Sequence, residues 1–87
     1  VRLIPYFIPG SSEIGRKIEG LAGKHAAVML ASHGPVISAK TLEAAVYAAE
    51  ELEATAKLAY LTRSLEPNIL SNEQVQEIVK QYNVEWD

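Results

Sequence analysis

Cysteine is absent from this chain of 87 residues, so no disulfide and no thiolate metal site can form. The absence also fits a reducing compartment, and the expected location is cytoplasmic. Long apolar runs are missing too. None approaches the roughly 20 residues of a membrane span, and Val1 to Pro9 is broken by Pro5 and Pro9, unlike a signal peptide. Basic residues are scarce, with Lys and Arg numbering 8 against 11 Asp and Glu. The net charge of −3 and pI near 5.3 exclude the basic stripe that a nucleic-acid partner needs. Glycines do not form a phosphate loop: neither GxGxxG nor GxxxxGK[ST] occurs. Only two histidines are present, His25 and His33, and no His-x-His or His-x-x-x-His pair.

What remains is an ordinary globular composition, 48% hydrophobic. A domain of this size buries about 60–65% of its unfolded surface and is marginal alone. Leu3-Ile4-Pro5-Tyr6-Phe7-Ile8 reads as a short extended segment, an edge or irregular strand because Pro5 cannot donate to a ladder. Pro9-Gly10 turns the chain, and Ser11 or Ser12 caps a helix whose Ile14, Ile18, Leu21 and Ala22 share one face. Gly20 and Gly23 end it, with Gly23 the better left-handed cap. The run Ala26-Ala27-Val28-Met29-Leu30-Ala31 reads as a buried strand. His33-Gly34-Pro35 is expected to turn into a second short strand, Val36-Ile37-Ser38, giving a hairpin.

Thr41 should cap the longest helix, from Leu42 to about Arg63, with an alanine-rich stripe that permits close packing. After Pro67-Asn68, Ser71 and Gln74 spell a capping box. Val75, Ile78, Val79 and Tyr82 then form the apolar face of a last helix. The tail from Val84 to Asp87 carries Trp86. Two or three short strands leave sheet edges unpaired, so the hairpin is expected to add to strands outside this sequence. The chain also begins at valine rather than methionine. A piece of a longer protein and a complete chain that oligomerises are both open at this point.

His33 is the most informative candidate, an imidazole at the end of a strand beside a Gly-Pro bend, where a rigid scaffold meets an accessible loop. It reads either as a turn histidine bonded to backbone or as a metal ligand. A catalytic zinc needs three protein ligands, and His25 lies at the other end of the same strand, about 25 Å away at ~3.3 Å per residue. Glu50, Glu51 and Glu53 read as a solvated helix face. Ser32 and Ser38 lack the G-x-S-x-G setting of a nucleophile. Tyr47, Tyr60 and Tyr82 read as packing residues.

Leu30-Ala31-Ser32-His33-Gly34-Pro35-Val36-Ile37-Ser38, then Thr41-Leu42-Glu43-Ala44-Ala45 and Glu50-Glu51-Leu52-Glu53, resemble the C-terminal part of the class II aldolase/adducin family. The resemblance runs over residues 1–82 and is closest to the 3-oxo-tetronate 4-phosphate decarboxylase and L-fuculose-1-phosphate aldolase-like branch. It implies an α/β fold, the C-terminal portion of a three-layer α/β/α domain with short antiparallel strands and three helices. All of residues 1–87 would belong to that one domain, with no second domain. It implies a lyase (aldolase or decarboxylase) acting on a phosphorylated sugar or sugar acid through a metal-stabilised enediolate. The divalent ion would be held by three histidines, most simply Zn2+, although histidine also suits iron, cobalt, nickel and copper. His33 would be the third ligand. The first two, a His-x-His pair, and the acid/base carboxylate are missing from this sequence, so the 87 residues alone are expected to be inactive. Members of the family are commonly homo-tetramers. The rival expectation is a non-catalytic, adducin-like interaction module.

Overall fold

The computed structural model describes residues 1–21 and 23–84. Ala22 and the tail from Glu85 to Asp87, expected above to lie on a helix face and to carry an aromatic needing cover, fall outside the described residues. The chain divides into two compact units, Val1–Ala49 and Glu50–Asp87. Among the described residues no helix is long and apolar enough to cross a membrane.

The first unit contains a three-stranded sheet in the order β1-β2-β3, formed by Arg2–Ile4, Ala27–Leu30 and Gly34–Ile37. β1 stops at Ile4, earlier than the apolar run itself, and its ladder ends with the Ala31 N–H donating to the Ile4 carbonyl at 2.9 Å. Pro9 and Gly10 then form a tight turn. The Ser11 N–H donates to the Ile8 carbonyl at 2.9 Å, and Gly10 takes a φ of +86° at the turn's third position. The turn delivers Ser11, rather than Ser12, to the start of helix α1, Ser12–Glu19, where its hydroxyl accepts from the Glu13 N–H at 3.2 Å. The helix closes on Gly20 in a right-handed conformation. The left-handed glycine expected as its cap, Gly23 at φ +75°, instead serves the following turn, in which the Lys24 N–H donates to the Leu21 carbonyl. Ile14 and Ile18 of α1 are half-buried, and α1 packs on β1.

β1 and β2 run parallel, with Leu3 opposite Met29 and Ile4 opposite Leu30. The expectation named short antiparallel strands; β1 adds a parallel neighbour to that antiparallel pair. The helix between them carries the chain back along the sheet, so β2 starts from the same end as β1. β2 and β3 form the expected antiparallel hairpin, but its turn lies earlier than His33-Gly34-Pro35. The Ala31–His33 segment makes the reversal, and Gly34 already pairs with Leu30. The chain reverses there because Ser32 takes a left-handed φ of +60°. Pro35, opposite Met29, is tolerated: the Ser38 N–H donates to the Ala26 carbonyl, so hydrogen-bonded pairs fall at 26/38, 28/36 and 30/34 and skip Pro35.

The register puts Arg2, Ile4, Val28, Leu30 and Val36 on one face of the sheet, the face of α1. Ile4 and Val28, 3% and 4% exposed, are the buried apolar core among the described residues. The other face presents Leu3, Ala27, Met29, Pro35 and Ile37, and Leu3 is 68% exposed.

Helix α2, Leu42–Thr62, starts in the first unit and ends in the second. Thr41 caps it as expected, accepting at Oγ1 from the Ala44 N–H at 3.1 Å. At its far end the Thr62 hydroxyl donates to the Leu58 carbonyl at 2.8 Å. The Arg63 guanidinium donates to the Tyr60 carbonyl while lying 3.9 Å from the Tyr60 ring centroid. Helix α3, Asn72–Tyr82, has the full reciprocal capping box: the Gln74 N–H donates to the Ser71 hydroxyl, and the Ser71 N–H donates to the Gln74 side-chain oxygen. Asn83 closes it in the left-handed conformation.

Two predictions follow from this packing. In the 87-residue chain, Ile4→Ala should lower stability by about 2–5 kcal/mol, whereas Leu3→Ala on the open face should change it by about 0.5 kcal/mol or less. Urea unfolding of both variants checks the contrast. The second concerns Tyr47, whose hydroxyl donates to Glu43 Oε1 at 2.8 Å. That bond, with a smaller contribution from burial, holds the phenol above its ordinary titration range, since a phenolate would face the carboxylate. The contribution to stability is therefore in place below the ordinary phenol pKa and is lost as pH rises through the folded-state value. Absorbance titration at 295 nm, with Tyr47→Phe to identify the signal, should show Tyr47 titrating late. Glu43→Ala should return it to the ordinary range.

Candidate functional site at the carboxyl ends of the parallel strands

Parallel pairing sets the carboxyl ends of β1 and β2 side by side. The loop after β1 and the turn after β2 therefore leave the sheet at the same edge, where α1 also begins. A cavity of about 220 Å3 lies there, lined by Tyr6, Phe7, Pro9, Gly10, Ile14, Leu30, Ala31 and His33. In α/β sheets this is the edge on which ligands bind. Most of the wall is apolar, and His33 is its one imidazole.

His33 sits in the hairpin turn with its side chain exposed, and its N–H donates to the Leu30 carbonyl at 3.1 Å. It is flanked by Ser32 at φ +60° and by Gly34 at φ +157°. A Cβ built on Gly34 would meet no atom within 4 Å, so backbone conformation rather than space asks for glycine there.

His25 is half-buried at the opposite end of β2 and lines a separate cavity of about 180 Å3 with Glu19, Ser38, Val28, Val36 and other residues. The two histidines thus face different cavities, as their spacing predicts. Glu50, Glu51 and Glu53 are all exposed on α2. Among the described residues no three His, Cys, Asp or Glu side chains gather into a set that could hold a metal ion. The described residues therefore do not by themselves fit the divalent ion that the family resemblance implies. His33 offers one donor of the three that a catalytic zinc requires.

Sequence reasoning singled out His33 but missed the wall around it. Tyr6, Phe7, Pro9, Gly10 and Ile14 join the site only because β1 is parallel to β2. The order strand, helix, strand carried that signal, since a crossover through a helix returns a parallel neighbour on a consistent hand.

Comparison with known proteins agrees with this architecture. The family described as Class II Aldolase and Adducin N-terminal domain matches residues 1–60. A 3-oxo-tetronate 4-phosphate decarboxylase of Pectobacterium atrosepticum is 37% identical over 78 residues, covering 90% of this chain and 36% of that protein. A 5-deoxy-D-ribulose 1-phosphate aldolase of Bacillus thuringiensis is 32% identical over 84 residues, covering 94% of this chain and 39% of that protein. The crystal structure of YgbL from Escherichia coli superposes with a TM-score of 0.84 at 36% identity, over 88% of this chain and 37% of that one. The chain thus spans little more than a third of the length of the relatives it matches. Its sheet, its helices and the match over residues 1–60 make it a member of the class II aldolase and adducin family.

Proposed function

We propose that these 87 residues are the C-terminal part of one class II aldolase-like domain, and that the whole protein is a divalent-metal-dependent lyase. Its substrate is a phosphorylated sugar or sugar acid, cleaved by decarboxylation or retro-aldol reaction. The relatives named as a 3-oxo-tetronate 4-phosphate decarboxylase and a 5-deoxy-D-ribulose 1-phosphate aldolase support that substrate class. The observation that carries the reading is the placement of His33. Of the chain's two histidines, it is the one on the cavity at the carboxyl ends of β1 and β2.

On this reading His33 is one ligand of the metal ion, with zinc the first choice, and its remaining partners are supplied from outside these residues. A divalent ion, when bound, supplies Lewis acidity toward carbonyl and hydroxyl oxygens. The chain's own residues present one imidazole and wall the cavity with Tyr6, Phe7 and Leu30. The protein works in the cytoplasm as a homo-oligomer, with tetramer the expected form. An adducin-like interaction module is the weaker reading, because binding without chemistry gives no reason to seat an imidazole on this cavity.

His33→Ala in the whole protein should remove metal and activity together. Metal affinity should fall by more than the ~10–100-fold that loss of an outer-shell partner produces. Metal analysis of the purified variant beside its turnover of a phosphorylated sugar acid tests this, and a normal metal content would sink the ligand assignment. The 87 residues alone should show no turnover and no tight one-to-one zinc complex by calorimetry.

A further inference from the structure

His33 owes its placement to the residue before it. Ser32 takes φ +60°, the left-handed region that side-chain-bearing residues rarely occupy. The Ser32 side chain is exposed, so it contributes to the turn through its backbone. Leu30 and His33 are closed into the turn by the 3.1 Å bond from the His33 N–H to the Leu30 carbonyl. Between them the chain must reverse within Ala31 and Ser32, and the left-handed residue supplies the reversal. Gly34 then pairs with Leu30, so the chain re-enters the sheet one residue after His33. An extended residue at position 32 would leave this turn open, and a right-handed one would close it only with the peptide between Ala31 and Ser32 turned over. Either would change how the turn presents His33 to the cavity that it lines with Leu30 and Ala31.

We propose that Ser32 is the positioning residue for His33: its left-handed backbone, not its hydroxyl, aims the imidazole at the cavity on the carboxyl ends of β1 and β2. The inference rests on the reading of His33 as the working residue of this site. It separates two chemistries that serine combines. Glycine lacks the hydroxyl and adopts the left-handed conformation freely, and asparagine tolerates it. Threonine keeps the hydroxyl but is branched at Cβ, which makes the same conformation an outlier.

The test uses Ser32→Gly, Ser32→Asn and Ser32→Thr in the whole protein, with two readouts. Amide hydrogen exchange at His33 in metal-free protein reports the turn, and exchange at Val28 in the core reports the fold. Affinity for Zn2+ alone reports presentation of the imidazole. Gly and Asn should leave both readouts near wild type. Thr should speed His33 exchange and weaken zinc binding by a factor smaller than the roughly 5–30 that the whole left-handed penalty is worth, because serine already bears that penalty and only the branch at Cβ adds to it, with Val28 unchanged. Should Thr disturb Val28 as well, the Gly and Asn variants still decide. Loss of zinc binding in Gly, or wild-type behaviour in Thr, overturns the proposal. If His33→Ala keeps full zinc affinity while Thr still speeds His33 exchange, the positioning role stands and the ligand reading falls.

Discussion

The parallel pairing of β1 with β2 is the constraint on which the rest of the first unit depends. A parallel neighbour cannot be reached by a tight turn, so the chain must leave the sheet, run back and re-enter from the starting end. α1 is that return path, and its apolar residues Ile14 and Ile18 are half-buried as it packs on β1. Ile4 and Val28 lie on the sheet face that α1 covers, which is why they become the buried core. The same pairing lines up the carboxyl ends of both strands, so the Tyr6–Gly10 loop and the His33 turn meet around one cavity. Core and candidate site are two ends of a single topological decision.

How much of this could be read from the sequence depended on the range of the interaction involved. Helix caps are local hydrogen bonds, and Thr41, Ser71 and Gln74 behave as their spacing says. The hairpin was legible because an apolar run and a short return flank a glycine. His33 stood out as one of two histidines, and its separation from His25 followed from strand length. Strand direction was not legible in the same way. Nothing within β1 or β2 marks the two as parallel; only the intervening helix does. The position of the hairpin turn was misplaced for a related reason. Gly34-Pro35 looks like the bend, yet Ser32 makes it, because a serine carries no visible mark of a left-handed φ. Gly23 is the converse, a glycine that takes the left-handed conformation but serves a turn beyond the helix it was expected to cap.

Exposure is the feature most at odds with a free-standing protein. On the face of the sheet away from α1, Leu3, Ala27, Met29, Pro35 and Ile37 present no charge at all. Antiparallel sheets often leave one face wet, but that face then reads polar. This one reads as an interior surface, and Leu3 at 68% exposure is its clearest sign. α2 points the same way. Its apolar residues are spread around the helix rather than gathered into one stripe, and Leu42, Val46, Tyr47, Leu58, Tyr60 and Leu61 are all exposed. α2 thus leaves apolar surface uncovered beside its exposed Glu50, Glu51 and Glu53.

Those two surfaces bear on the function as well as on stability. A sheet covered by helices on both faces is the three-layer arrangement in which a site at the strand ends is held rigidly from both sides. Here one layer is in place, α1 over Ile4 and Val28, and the other face is apolar and ready for its own. On the proposed reading His33 shows the same incompleteness in chemical form: one imidazole at the carboxyl ends of β1 and β2, with no second and third donor gathered beside it among the described residues. Structural and chemical valences are left open in the same unit. On that reading both would be met together if the surface that covers Leu3 also brings the remaining ligands to the cavity. In that case metal binding and folding of this region are coupled, because each needs the same neighbouring surfaces in place.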